Sequence, residues 1–231
     1  MLRLLGFFVL VFLTQKLLLE IPVVRDLIGG LGIFGFWVVA IFVGWYLEAL
    51  GTRLMAKRRF DAQVRGLGNV DTANNQGKLG ALLLDRGKFK AALEHLLIAK
   101  EGQPESSEWD YGLGRAYMGL GQFAQAAEHF QSVAAIDAAY GYGRVLLGLA
   151  EARLECDQTD IALQALDRHD SDRGATPESA LLRGLVFKKL GLKAEARAAF
   201  ESVSGLAKNL PASYRKSAFP FQVRAFFARI G

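Results

Sequence analysis

Residues 79–100 read LGALLLDRGKFKAALEHLLIAK, and residues 113–134 read LGRAYMGLGQFAQAAEHFQSVA. The two stretches share a leucine–glycine pair, then a turn glycine, an alanine and a large apolar residue at matching positions. The framework recurs twice more. Gly80, Gly114, Ala150 and Gly184 lie 34, 36 and 34 residues apart. Each is followed twelve residues later by Ala92, Ala126, Ala162 or Ala196, and sixteen later by Leu96, Phe130, Leu166 or Phe200. A period near 34 with helical texture means stacked helix pairs, a quasi-one-dimensional architecture whose usual product is a binding surface. Glycine inside a helix costs about 0.8–1 kcal/mol relative to alanine. Its recurrence therefore predicts a close approach of two helix backbones, with the neighbouring large residue filling the remaining space. Gly87, Gly121 and Gly191 predict the tight turns at which a helix ends and the chain reverses.

These residues resemble the tetratricopeptide repeat family. The first unit, residues 73–106, carries Leu79-Gly80, Leu83, Gly87, Phe89, Ala92, Leu96, Ala99 and Pro104. The second, 107–140, carries Leu113-Gly114, Tyr117, Gly121, Phe123, Ala126 and Phe130, with Ala138 where proline is usual. The third, 143–176, departs most, with Arg153 at the aromatic position and Asp157 at the turn glycine. The fourth, 177–210, recovers Gly184, Phe187, Gly191, Ala196 and Phe200. The family's tryptophan is missing from all four; Gln76, Asp110, Leu146 and Ala180 stand there, and Trp109 is one place off. The resemblance implies an all-α chain with about four helix pairs forming an α-solenoid over residues 73–210. A capping helix is expected over 211–231.

Composition divides the chain. Residues 27–47 hold no charge and are long enough to cross a bilayer core as a helix. Trp45 and Tyr46 sit near the end of that stretch, as interfacial anchors would. The stretch 4–15 is also uncharged, but Lys16 interrupts before Leu17. Three readings of 4–19 stay open: a second span, with Lys16 reaching back to the interface; an interfacial helix; or a signal peptide, for which TQKLLLE offers no small-residue cleavage site. The expected anchor is 1–52, a transmembrane helical hairpin whose second span covers about 27–50. A basic juxtamembrane linker, 53–72, follows, with Arg53, Lys57, Arg58 and Arg59 beside the membrane. The positive-inside rule then puts the repeats in the cytoplasm. The likeness to membrane-anchored bacterial repeat proteins implies the inner membrane. The lone Cys156 excludes an intramolecular disulfide framework. Asp71 or Thr72 is the expected cap of the first repeat helix.

The net charge of +5 conceals an asymmetry. Residues 60–182 hold 11 Lys+Arg against 18 Asp+Glu, a net −7, whereas 183–231 hold 10 against 2, a net +8. The basic end reads as a solvated face, or as a contact for anionic lipid, an acidic protein or RNA. Nucleic acid is the least expected, because the aromatics are spaced for packing. Phe219, Val223, Phe226, Phe227 and Ile230 follow helical spacing, with Pro220 placed at a helix start. The expectation is that they close the last repeat, with a partner-binding helix as the alternative.

No phosphate loop, nucleophile elbow, HExxH or CxxC occurs. His95 and His129 each follow a glutamate, but they are the same repeat position met twice, without converging ligands. Neither catalytic residues nor a cofactor or metal are expected. The resemblance instead implies a protein-binding groove on the first helices. Its positions here are Asn74, Gly77, Ala81, Leu84 and Asp85; Glu108, Tyr111, Arg115 and Met118; Arg144, Leu147, Glu151, Leu154 and Glu155; and Glu178, Leu181, Leu185, Lys188 and Lys189. The lysine–asparagine clamp of chaperone-binding members is not matched, which predicts against chaperone tails. The expected function is a membrane-tethered scaffold for a protein or peptide partner, in contact with the lipid bilayer. Its alternatives are a regulatory or assembly subunit acting through the hairpin, and an enzyme with an unrecognised site. An envelope-assembly adaptor is a weaker analogy, since its cysteine-rich metal ribbon is missing.

Overall fold

The computed structural model describes residues 22–230, with side chains at 38 and from 41 onward. The chain divides into two units at residues 63/64. In the first, α1 (Pro22–Gly68, which runs on past the boundary) is the described element. The stretch 4–19 lies outside the described residues, as do the side chains of 27–37, 39 and 40 within the expected span. Among the described residues no helix is long and apolar enough to cross a membrane. Arg53, Lys57, Arg58 and Arg59 are exposed on α1.

The second unit is all helical among its described residues. Its helices are α2 (Ala73–Leu84), α3 (Phe89–Gly102), α4 (Ser107–Gly119), α5 (Phe123–Ile136), α6 (Arg144–Glu155), α7 (Thr159–Arg173), α8 (Pro177–Lys189), α9 (Lys193–Asn209) and α10 (Ala212–Ile230). From α2 to α10 each helix packs on the next. In addition α2 touches α4, α4 touches α6, α6 touches α8 and α8 touches α10. The even-numbered helices thus form one continuous layer, with α3, α5, α7 and α9 behind it. Contacts join near neighbours only, which defines a solenoid and excludes a closed bundle.

The repeat glycines explain the pairing. A Cβ on Gly80 would stand 2.6 Å from Cγ of Leu96, on Gly114 2.7 Å from Cε1 of Phe130, and on Gly184 2.4 Å from Cε1 of Phe200. The sequence suggested contact between backbones; the space is taken instead mainly by a side chain of the second helix. At each turn the chain enters the left-handed region, at Gly87 (φ 68°), Gly121 (φ 72°) and Gly191 (φ 76°). The third unit makes the same turn with Asp157 at φ 62°. Aspartate tolerates this conformation better than most side-chain-bearing residues do, so the geometry survives loss of the glycine.

Trp109 replaces the family tryptophan in its own way. It is buried, its Nε1–H donates to Gln103 Oε1 at 2.7 Å, and its ring covers Gly77. Gly77 is therefore shut beneath a neighbouring repeat and is not a groove position. The vacated tryptophan positions in the first two repeats hold polar groups instead. Gln76 hydrogen-bonds His95 Nδ1 at 2.6 Å, and Asp110 hydrogen-bonds His129 Nδ1 at 3.1 Å and Lys100 Nζ at 2.6 Å. The two histidines thus couple the helices of a pair.

Helix starts obey local chemistry. Thr72, the residue that caps α2, accepts from the Asn75 amide at 3.2 Å. Thr176 caps α8 through a reciprocal pair with Ser179, with Pro177 in the first turn. Two expectations fail at the carboxyl end. Pro220 does not open a helix; it lies inside α10, which has already begun at Ala212 after Pro211. Phe219, Val223, Phe226, Phe227 and Ile230 do not close the last repeat either, because all five are exposed. Ala218 and Ala225 are buried instead, and Phe221 and Ala228 pack on a core that includes Leu181, Phe200 and Val203. Both faces of α10 are apolar in sequence; the small-residue face permits the closer helix approach.

Candidate functional site

The first-helix layer bears a groove of about 930 Å³. Its walls come from the end of α2 (Asp85), α4 (Tyr111, Arg115), α6 (Arg144, Leu147), the start of α8 (Glu178) and α10 (Tyr214, Phe221). The 141–142 segment and His169 complete it.

Aromatic packing fixes one side. The Tyr111 ring centroid is 5.8 Å from that of Phe130 and 5.2 Å from that of Tyr140. Burial pushes the Tyr111 hydroxyl above its ordinary value, although Arg115 and Arg144 pull the other way. Burial does the same to Tyr140, with Glu108 adding to it. Both phenols therefore stay neutral at physiological pH and can donate a hydrogen bond.

The acidic residues respond to the same burial. The Glu178 carboxyl is raised by burial, opposed by Arg144 and reinforced by Glu151. Glu151 is raised by burial too, with Arg224 opposing and Glu155 reinforcing. The Arg224 guanidinium is 3.9 Å from Glu151, which links α10 to α6. Asp170 behaves oppositely. Burial pushes it up, but hydrogen bonds with His169, Ser179 and Arg183 outweigh this and hold it low. Arg183 clamps Asp167 at 2.8 Å and Asp170 at 2.9 Å, which fixes His169 through its 2.9 Å bond to Asp170.

The segment before α6 runs through the left-handed region, which two glycines adopt freely and Tyr142 adopts at a cost. Gly141, Tyr142 and Gly143 have φ of 60°, 60° and 80°. A tyrosine in the left-handed region is uncommon and marks a functional candidate. Tyr142 is 85 % exposed, with the Arg173 guanidinium 5.7 Å from its ring centroid.

Among the residues expected at the groove, Asp85, Tyr111, Arg115, Arg144, Leu147 and Glu178 line it. Asp85 and Arg115 also pair with each other at 3.2 Å. Glu151 is half-buried, Leu185 and Met118 pack against the core, and Asn74, Glu108 and Glu155 are exposed elsewhere on the first helices. Leu154 and Leu181 are core residues, closed off by the next helices. Lys188 donates to the Ala228 carbonyl at 3.0 Å, and Lys189 to the Leu154 carbonyl at 2.7 Å, so both anchor neighbouring segments. The contributions of Tyr142, His169, Tyr214 and Phe221 were not read from the sequence. The two extra residues between Gly114 and Ala150 were the available signal for Tyr142; Tyr214 and Phe221 depend on how α10 docks.

The groove brings together tyrosine hydroxyls, guanidiniums, the carboxyls of Asp85 and Glu178, and apolar carbons from five helices. That mixture suits an extended or helical peptide. Among the described residues no group of three or more histidine, cysteine or acidic side chains is placed to hold a metal.

Residues 110–136 match the sequence profile of the tetratricopeptide repeat. Solved structures agree in fold. "Crystal structure of MamA" superposes with a TM-score of 0.59 at 22% identity, covering 68% of this chain and 94% of that one. TTC0263, a thermophilic TPR protein of Thermus thermophilus, gives 0.51 at 21% identity, covering 69% and 100%. The fold is a tetratricopeptide-repeat solenoid. YrrB, whose structure is described as a TPR protein with an unusual peptide-binding site, gives 0.50 at 19% identity, covering 69% and 87%. No curated protein matches the sequence at a significant level.

Proposed function

We propose that this protein is a membrane-tethered, cytoplasm-facing scaffold whose solenoid groove binds a protein or peptide partner and performs no chemistry of its own. The groove of about 930 Å³ carries this reading, because Tyr111, Arg144 and Glu178 converge on it from successive repeats and Phe221 from α10. Repeat solenoids present such surfaces as docking sites, and the peptide-binding site named for YrrB supports the choice of ligand. The tether rests on the uncharged stretch 27–47 and the basic cluster Arg53, Lys57, Arg58 and Arg59. A tether of this kind raises the local concentration of the groove's partner at one surface.

The test is photo-crosslinking from position 111 in native membranes, with adducts identified by mass spectrometry. A discrete adduct, lost in an Arg144→Glu variant of unchanged stability, is expected. Adducts unaffected by that charge reversal would remove the groove from consideration. A second reading, a regulatory or assembly subunit acting through the hydrophobic amino-terminal region, is supported by the glycines within 27–47. It requires that function be lost when residues 1–52 are exchanged for an unrelated anchor.

A further inference from the structure

The terminal helix of a solenoid ordinarily turns a polar face outward. α10 does the reverse. Phe221, Ala225 and Ala228 meet the last repeat, and buried Ala218 falls on the same side at 100° per residue. Phe219, Val223, Phe226, Phe227 and Ile230 share the opposite side. Phe219 is 62 % exposed and Phe227 and Ile230 are 67 % exposed, and the rings of Phe226 and Phe227 meet edge to face at 5.6 Å.

Charge says what this face suits. Residues 212–230 contain Arg215, Lys216, Arg224 and Arg229 and no acidic residue. Arg224 and Arg229 turn back to the protein, towards Glu151 at 3.9 Å and Glu201 at 3.5 Å. Lys216 and Arg215 flank the apolar stripe and are exposed. Arg215 Nε donates to the Leu210 carbonyl at 3.0 Å, a contact that leaves its charge uncompensated. A second copy of α10 on this face would oppose like charges. Glu201 borders the stripe at Phe226, but Arg197 and Arg229 already pair with it. An aromatic stripe with cations and no acidic residue on its own helix is instead the pattern of a helix lying in the interface of an anionic bilayer.

We propose that the outer face of α10 docks on an anionic lipid surface, with Phe219, Phe226, Phe227 and Ile230 entering the headgroup–acyl boundary and Arg215 and Lys216 meeting the phosphates. The contact goes beyond the amino-terminal tether and does not depend on it.

The full chain carrying Cys156→Ser and Phe227→Cys, labelled with a polarity-sensitive fluorophore, tests this in vesicles of phosphatidylcholine alone or with three-tenths phosphatidylglycerol. In the anionic vesicles the label should shift to the blue and be quenched by brominated acyl chains. A label at Gln164→Cys, on exposed α7, should do neither. Neutralising Arg215 and Lys216 to glutamine should weaken the anionic-vesicle effect about fivefold per charge at low salt. Flotation separates this contact from the tether. Salt-resistant binding to neutral vesicles reports the tether, whereas binding that needs phosphatidylglycerol and weakens when Arg215 and Lys216 are neutralised reports α10, the basic cluster at 53–59 being unchanged in that variant. An unshifted label on vesicle-bound protein, an equal shift in both lipids, or a shift that follows protein concentration without lipid would overturn the proposal. Flotation with neither vesicle would overturn it together with the tether.

Discussion

Replacing Gly114 by alanine adds a methyl group 2.7 to 3.0 Å from three ring carbons of Phe130. Contact between carbons is optimal at about 3.5–4.0 Å, so the ring must retreat by nearly 1 Å. The retreat is constrained, because the same ring also occupies the space at Gly148, where a Cβ would lie 2.9 Å away. Overpacking of this kind costs about 1–3 kcal/mol. Alanine returns about 0.8–1 kcal/mol of helix propensity, which leaves a net loss of roughly 1 kcal/mol. Gly205, inside α9, supplies the control: a Cβ there meets nothing within 4 Å. Gly205→Ala should therefore gain the full propensity term. In thermal unfolding followed by circular dichroism on the detergent-solubilised chain, Tm should move about 2–4 °C per kcal/mol for a unit of this size. Gly114→Ala should move down and Gly205→Ala up. The double variant Gly114→Ala/Phe130→Leu should lose less than the sum of its parts, since the smaller side chain makes room. Equal upward shifts for the two glycines would refute the packing argument and leave only propensity.

Two further outcomes follow from the backbone and the groove. Asp157→Gly should raise stability by up to about 1 kcal/mol by relieving a left-handed side-chain-bearing residue, since its exposed 2.7 Å pair with Lys189 is worth little. Asp157→Ala should not, and chemical denaturation distinguishes them. Glu178 holds its proton more tightly when folded than its ordinary value of 4.5 would allow. Its stabilising contribution is therefore full below pH 4.5 and is lost as pH rises through the folded value. Glu178→Gln should match the natural protein in acid and be more stable at neutral pH; a curve parallel to the natural one across that range would refute the assignment.

The period was legible in the sequence because each structural cause is local. Gly80 and Leu96, or Gly184 and Phe200, are sixteen residues apart and meet within a single helix pair, so their spacing repeats with the fold. The turn at Asp157 was legible as a departure, and the structure keeps the left-handed turn there without the glycine. Groove positions were legible less well. Periodicity assigns a residue to a helix face but does not say whether the next repeat covers it. Leu154 and Leu181 share the first-helix frame with Arg144 and Glu178, yet Leu154 lies in the core that α7 and α8 help to form and Leu181 in the one that α9 and α10 help to form. Gly77 is closed by Trp109, whose departure by one place from the family pattern decides what it covers.

By itself the chain's order of residues determined paired helices, their turns and an open succession of repeats, since these depend on hydrogen bonds and contacts over a few dozen positions. Tertiary structure decided which face of α10 turns inward, and with it that Tyr214 and Phe221 join the groove while Phe219, Phe226 and Phe227 face outward. Both faces of that helix are apolar, so hydrophobicity could not choose between them. The choice fell to shape: alanines at 225 and 228 let α10 approach Leu181 and Phe200 more closely than a row of phenylalanines would.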